Sequence, residues 1–351
     1  MKEDRREDLQ GVARWLLTGC ILIGCMVAIG GITRLTESGL SIVEWKPVRG
    51  ALPPLSEAAW QAEFEKYKAI PEYRLINQGM DLAGFKRIYF WEWLHRNWGR
   101  LMGLVFIVPF VLFWRQGRLK GWLFRRTLWI MLGGAIVASL GWFMVLSGLV
   151  DLRDANGQLL VSVSHFRLAI HLCGAFTVFG VVLWTVMDIR AGRRGFLPDG
   201  SAAGRWSRAL LALLTLQIVW GAFTAGLDAG RIYNTWPLMN GAFLPENATA
   251  FGSMWLNLAE HKDGVQFIHR NLAWVVAAAM LGFAWVYRAH VGLAGAVRLL
   301  AIGVVLQFVL GVLTLLTQVN IALGVLHQFG ALLLLAALLN ILHRTGRLSA
   351  T

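Results

Sequence analysis

Eight uninterrupted apolar blocks, each long enough to cross a bilayer, constrain this chain more than any other feature. They lie at about 15–33, 89–113, 127–149, 165–187, 208–227, 265–287, 299–318 and 322–342. Blocks of roughly 18 or more apolar residues read as spanning helices. The chain has 351 residues, of which 57% are hydrophobic and 15% charged, so little is left outside the blocks. Large soluble domains are excluded. The expected fold is an all-α integral membrane protein whose eight transmembrane helices form two repeated four-helix bundles.

The formal charge of +13 raises the question of nucleic acid. Its placement answers otherwise, because orientation in a membrane follows Lys and Arg in short loops near the span ends. Lys2, Arg5, Arg6 and Arg14 precede span one. Arg115, Arg118, Lys120, Arg125 and Arg126 follow span two. Arg190, Arg193, Arg194, Arg205 and Arg208 follow span four. Arg288 and Arg298 follow span six, and Arg344 and Arg347 follow span eight. With eight spans all of these lie on one side, and the opposite loops are mixed or acidic. Both termini are expected in the cytoplasm, and no nucleic-acid partner is expected.

No cleaved signal peptide is expected, since the first apolar run exceeds an h-region of roughly 7–15 residues. A mitochondrial presequence is poor in acids, whereas Glu3, Asp4, Glu7 and Asp8 stand here. A bacterial inner membrane fits better. Cys20, Cys25 and Cys173 all fall within spans, so no exported disulfide is expected.

The outer loops are unequal. The first, about 34–88, is punctuated by Pro47, Pro53, Pro54 and Pro71. Within it Ser56 is placed to cap a short helix whose Trp60, Phe64 and Tyr67 share one face. Such a helix suits the mouth of a bundle. The third outer loop, about 228–264, is also long. The second is short, and the fourth is a turn around Val319 and Asn320. Long loops in a compact protein are usually functional or disordered, and their aromatic content favours ordered caps.

An internal repeat organises the rest. Span two holds His95-Arg96-Asn97 and span six His269-Arg270-Asn271. Span four holds His171-Leu172-Cys173-Gly174-Ala175 and span eight His327-Gln328-Phe329-Gly330-Ala331. Span one ends Gly31-Ile32-Thr33-Arg34, and span five ends Ala222-Phe223-Thr224-Ala225. The chain divides into an N-terminal half, 1–206, and a C-terminal half, 207–351, in parallel topology. Each half supplies two histidines at matching depth near the outer leaflet.

Ionisable side chains inside a membrane are costly and face the bundle interior or a polar cavity. Neutral imidazole is a common protein ligand of haem iron, and two histidines at one depth can grip one iron from both sides. The flat ring needs small neighbours, and Gly99, Ala175, Ala273 and Ala331 stand one turn beyond the four histidines, with Gly103 extending the face. The plainer reading of these small residues is tight helix packing. Four histidines in matched positions favour two haems. His165, His261, His290 and His343 lack the pattern and read as solvated or interfacial, leaving His165 or His261 open as a propionate contact.

The halves differ at one chemical position. Glu92 stands three residues before His95, on the same helix face, and Gln266 stands at that place before His269. A carboxylate beside a haem can take protons or stabilise developing positive charge. It can also serve as an anchor or as a partner of Arg96. The asymmetry points to chemistry in the first half and a fixed electron-transfer haem in the second.

The stretch Gly31-Ile32-Thr33-Arg34-Leu35-Thr36-Glu37-Ser38-Gly39-Leu40-Ser41, followed by Glu44-Trp45-Lys46-Pro47, resembles the first outer loop of haem A synthases. Glu92-Trp93-Leu94-His95-Arg96 is similar to theirs, as is the third loop from Ala225-Gly226-Leu227-Asp228-Ala229-Gly230 through Tyr233-Asn234-Thr235-Trp236-Pro237-Leu238-Met239. With Phe267-Ile268-His269-Arg270-Asn271 and Leu326-His327-Gln328, the resemblance covers nearly the whole chain. The lack of outer-loop cysteines resembles the subgroup of mitochondria and related bacteria, and it puts thiol-dependent haem transfer in doubt.

The resemblance implies an oxidoreductase of haem biosynthesis and cytochrome oxidase assembly. A methyl group of haem O would be oxidised through two hydroxylations and loss of water to the formyl group of haem A. By the family pattern His95 and His171 hold the substrate haem, Glu92 assists oxidation, and His269 and His327 ligate a haem b cofactor that relays electrons. Implied partners are the haem O synthase, the terminal-oxidase assembly factors and an electron donor. A di-haem b-type cytochrome would explain the histidines but not Glu92 in one half alone. A haem transporter would not explain a permanent second haem. The sequence leaves open the electron donor, the order of bond-breaking steps and the oligomeric state, a homo-oligomer included.

Overall fold

The computed structural model describes residues 2–46, 49–149, 163–192 and 200–348. Pro47, Arg193, Arg194 and nearly all of the second outer loop lie outside the described residues. Among those described, eight helices are long and apolar enough to cross a membrane. The elements are α1 (Lys2–Leu35), α2 (Glu57–Lys68), α3 (Pro71–Leu75), α4 (Leu82–Arg115), α5 (Gly121–Leu149), α6 (His165–Ala191), α7 (Ala202–Gly226), α8 (Met254–Ala259), α9 (Lys262–Val286), α10 (Ala294–Leu316) and α11 (Ile321–Leu348). The chain is thus an all-α, multi-pass membrane protein. Helices α2, α3 and α8 are too short to span.

Local chemistry sets the ends. Asp81 caps α4 by accepting from the Gly84 amide at 2.7 Å. Helix α4 therefore starts a turn or two before the apolar block, on the polar segment that carries Lys86 and Arg87. Gly192, in the left-handed region at φ 65°, closes α6. Between α10 and α11 the Asn320 side chain accepts from the Ala322 amide at 3.1 Å. This turn holds the fourth outer loop to a few residues.

Helix α1 packs along α4 and α6, and α5 along α6. Helix α7 packs along α9 and α11, with α10 against both of those. The two sets meet where α1 touches α11 and where α6 touches α7 and α11. Leu16, Val182, Met280, Phe283, Leu300 and Leu338 are among the fully buried side chains of the shared core. Lipid tails are as apolar as this core, so association relies on close packing and interhelical hydrogen bonds. A Cβ on Gly24 would stand 3.2 Å from Phe329, and one on Gly31 3.3 Å from Gln328. The Gln328 amide donates to the Val27 carbonyl at 2.9 Å.

Polar staples close both ends of the bundle. At the outer-loop end Arg34 pairs with Asp228 at 2.9 Å and donates to the Ala225 carbonyl at 2.7 Å. At the opposite end Asp188, fully buried, accepts from Arg126 at 2.5 Å and is 3.0 Å from His343 Nε2. His343 is only 4% exposed. The expectation that it is solvated or interfacial is corrected: a carboxylate buried without partners would be strongly destabilising, and His343 helps to satisfy it. His165 is also half-buried, with Nε2 2.9 Å from the Ala259 carbonyl.

The first outer loop forms an ordered cap. Ser56 accepts from the Ala59 amide at 3.2 Å to start α2. The face expected to carry Trp60, Phe64 and Tyr67 packs on Phe85 and Tyr89, at the beginning of α4.

Candidate functional site

Each of the four candidate ligand helices presents its histidine to a glycine on the preceding membrane-spanning helix. A Cβ on Gly30 would stand 3.1 Å from His95 Cε1, and one on Gly141 2.9 Å from His171 Cε1. The corresponding distances are 3.0 Å for Gly221 and His269 and 2.8 Å for Gly311 and His327. Such separations are tighter than ordinary carbon contacts, so any side chain there would push the imidazole away. The glycines fix how far each ring reaches into its half of the bundle, and all four imidazoles keep part of their surface accessible.

His269 and His327 face each other with ring centroids 6.4 Å apart and planes at 85°. Two metal–imidazole bonds of about 2 Å, plus about 1 Å from each nitrogen to its ring centre, span about 6 Å. One iron fits between them. Beside His95 a Cβ on Gly99 would meet only the Met26 methyl at 3.5 Å, and one on Gly103 nothing within 4 Å. The surface expected to lie along a flat ring is open. Among the described residues no group of three or more His, Cys, Asp or Glu is placed to hold a bare metal ion. Histidine pairs suit an iron whose remaining ligands come from a macrocycle.

Glu92 is 3% exposed. Its Oε2 accepts from the Ser41 hydroxyl at 2.8 Å and the Ile42 amide at 2.7 Å. Its Oε1 accepts from Arg96 Nη2 at 2.5 Å and Nε at 3.0 Å. Arg96 donates onward to the carbonyls of Ile42 at 2.7 Å and Glu44 at 3.1 Å. The carboxylate and guanidinium together latch the first outer loop over the histidine helix. In the second half Gln266 donates to the Tyr233 carbonyl at 3.1 Å. Arg270 donates to the carbonyls of Thr235 at 2.8 Å, Pro237 at 3.1 Å and Leu238 at 3.2 Å. The arginine after each histidine therefore serves the same purpose twice; the acid of the first latch, Glu92, stands three residues before its histidine, whereas in the second the Tyr233 hydroxyl donates at 2.8 Å to Asp263, six residues before His269. Aromatic contacts complete both caps, with Trp45 and Trp142 4.8 Å apart and Trp236 stacked on Trp274 at 5.8 Å.

Two contacts escaped the sequence reading. The Gln217 amide lies 3.1 Å from His269 Nδ1, and the Gln307 amide 3.2 Å from His327 Nδ1. The available signal was a glutamine inside each of two apolar helices, four residues before the glycine that faces the histidine.

These features define a polytopic helical membrane protein with matched intramembrane histidines under latched outer loops. The sequence profile of the cytochrome oxidase assembly protein family matches residues 13–339. Among curated relatives, a protein of Rhodospirillum centenum named Heme A synthase is 48% identical over 337 residues, 95% of this chain and 88% of the relative. Proteins of the same name are 44% identical in Parvibaculum lavamentivorans, covering 96% of this chain and 94% of theirs, and 43% identical in Flavobacterium johnsoniae, covering 97% and 100%. The chain belongs to the cytochrome oxidase assembly protein family.

Proposed function

We infer that this chain is a haem A synthase, a membrane oxidoreductase that converts the methyl group of haem O to the formyl group of haem A. The observation that carries this reading is the pair of matched histidine sites with Glu92 one turn before His95 and Gln266 at that place before His269. Near full-length identity to relatives named Heme A synthase supports it.

In this reading His95 and His171 hold the substrate haem in the half spanning 1–206. The open face at Gly99 and Gly103 admits its ring. Glu92 stabilises positive charge that develops as the methyl carbon is oxidised. All its hydrogen bonds are donated to it, so taking up a proton requires one to be lost. Electrostatic stabilisation is the role this geometry serves better. The latch through Arg96 keeps water from the site by holding the first outer loop down.

The donor set at His269 and His327, in the half spanning 207–351, fits a resident haem b, on the 6.4 Å ring separation. When bound, it supplies one-electron transfer. Gln266 stands at the place that Glu92 takes in the first half, and Asp263, the acid on the same helix, is engaged by the Tyr233 hydroxyl.

In this reading both termini are cytoplasmic and the histidine sites lie towards the periplasmic side of a bacterial inner membrane, which the basic loops support. The haem O synthase, an electron donor and the terminal-oxidase assembly machinery follow as partners. The test is extraction of haems from cells that make haem O, with and without this chain. Haem A only when the chain is present supports the reading. Purified chain carrying two haem B and no haem O or A would make it a cytochrome instead.

A further inference from the structure

The four histidine–glycine contacts define a common register, and it exposes a second difference between the halves. Four residues before each facing glycine stand Met26, Val137, Gln217 and Gln307. Each lies one turn from its glycine; the Val137 carbonyl and the Gln217 and Gln307 amides reach their histidines, while the Met26 methyl lies beside Gly99. In the second half both positions carry an amide, and in the first half neither does.

The surroundings of each Nδ1 follow from this. His269 Nδ1 is 3.1 Å from the Gln217 amide, which also donates to the His269 carbonyl at 3.1 Å. His327 Nδ1 is 3.2 Å from the Gln307 amide, which donates to the His327 carbonyl at 2.8 Å. Oε1 of both glutamines is buried without a hydrogen-bond partner among the described residues. His171 Nδ1 lies 3.0 Å from the Val137 carbonyl. His95 Nδ1 is buried with no partner among the described residues. A single backbone carbonyl thus serves the first pair, and two dedicated side chains serve the second.

An imidazole that ligates iron through Nε2 carries its proton on Nδ1, and a partner accepting that proton orients the ring and raises its basicity. A glutamine amide presents an acceptor and a donor related by a half-turn. Turned so, the otherwise unpartnered Oε1 accepts the Nδ1–H, and the amide gives up its bond to the histidine carbonyl. The amide is thus suited to hold either nitrogen state of its histidine, and the orphaned oxygen is the one that metal ligation would use.

We propose that Gln217 and Gln307 are positioning residues that lock the axial histidines of the resident haem, and that their absence beside His95 leaves the first-half haem exchangeable. The proposal rests on the reading that His269 and His327 hold a haem. An acceptor on Nδ1 makes the ligand a stronger donor and favours ferric over ferrous iron. The first half needs the opposite property, since substrate must enter and product must leave. An unanchored His95 ring swings aside at less cost than one held by a side-chain amide.

The experiment uses the full-length chain purified with its haem. Gln217→Leu and Gln307→Leu remove the acceptor at nearly constant volume, while Gln217→Glu and Gln307→Glu keep an acceptor and add charge. The readouts are haem b per chain, its dissociation rate to a haem-free acceptor protein, and the midpoint potential of the low-spin haem. Loss of an outer hydrogen bond to a metal ligand typically weakens binding by about 10–100-fold, so each Leu variant should release haem b at least about tenfold faster. The potential should rise in the Leu variants, by about 59 mV if ferric iron loses a tenfold preference. It should fall in the Glu variants. Opposite shifts would not arise from loosened packing. If the Leu variants do not fold, the Glu variants alone decide by the sign of their shift. Unchanged potential and release in every folded variant overturns the proposal. Wild-type chain with no haem that depends on His269 and His327 overturns the underlying reading instead. In the converse variant, Met26→Gln, haem extracted from the first half should leave at least about tenfold more slowly, and unchanged release would remove the second clause.

Discussion

Glu92 accepts hydrogen bonds from Ser41, Ile42 and Arg96, so two roles are fused in one carboxylate: a latch for the loop and a charge beside the site. Variants can separate them. Glu92→Gln removes the charge at nearly constant volume and copies Gln266, although its NH2 must face either Arg96 or the Ile42 amide and so gives up part of the latch. Haem A formation should fall by about two orders of magnitude, the usual contribution of a positioned acid or base, while haem b stays. Haem O or a hydroxylated intermediate should accumulate, read by chromatography of extracted haems. Arg96→Gln removes the latch and spares the carboxylate; if it matches Glu92→Gln in every respect, Glu92 acts only through the loop. The ligands admit a simpler test. His269→Ala or His327→Ala leaves an iron with one protein ligand, so each should purify without stable haem b. Full occupancy with an unchanged low-spin spectrum in both variants would remove these residues from the assignment. At this scale the histidines and the Glu92–Gln266 contrast were legible, because a polar side chain in an apolar block is conspicuous and the repeat aligns the copies. The pairing of Arg96 with Glu92 was open from their spacing, but the onward bonds of Arg96 and Arg270 to the loops were not, because those partners are backbone carbonyls that leave no trace in residue type.

Among the elements, the cap made by α2 and α3 is where solution conditions should register. Glu72, on α3, is 7% exposed and accepts from the Tyr67 hydroxyl at 2.9 Å. Burial pushes its carboxyl up to about 7, the Tyr67 hydrogen bond opposes that, and the nearby charges of Glu92 and Glu37 add to it. A carboxyl raised above its unfolded value favours the folded cap while it is protonated. That contribution is present at low pH and lost as pH rises from the ordinary carboxylate range through about 7. Amide exchange in 57–75 should therefore quicken, beyond its intrinsic pH dependence, as pH rises from about 4.5 to about 7, with no further extra change above that. Glu72→Gln should flatten the extra dependence, and the same profile in both proteins would show that Glu72 does not govern the cap. The capping Ser56 and the aromatic face of α2 were visible from spacing alone. The early start of α4 was not, because apolar runs report only the part of a helix that lipid would touch, and Lys86 and Arg87 interrupt the run.

Across the whole molecule, the repeat was written in the His-Arg-Asn copies, whereas the docking of the two sets of helices was not. Arg34 meets Asp228, and Gln328 reaches Val27, across separations that no periodicity encodes. These contacts also bear on orientation. Arg34 closes α1 and Asp228 follows α7, so the first and third outer loops share one end of the bundle. Arg126, Asp188 and His343 hold the other end together, at the end where Arg118 and Lys120 follow α4 and Arg344 stands in the last turns of α11. Lys and Arg in short loops mark the cytoplasmic side, so that end should be cytoplasmic and the latched loops periplasmic. Only α7 separates Arg194 from Asn247 along the chain. Reporter fusions after these two residues should therefore give opposite signals, with alkaline phosphatase active only after Asn247. Activity at both points would mean that α7 does not cross, and the pairing of the outer loops over the histidine sites would fall with it.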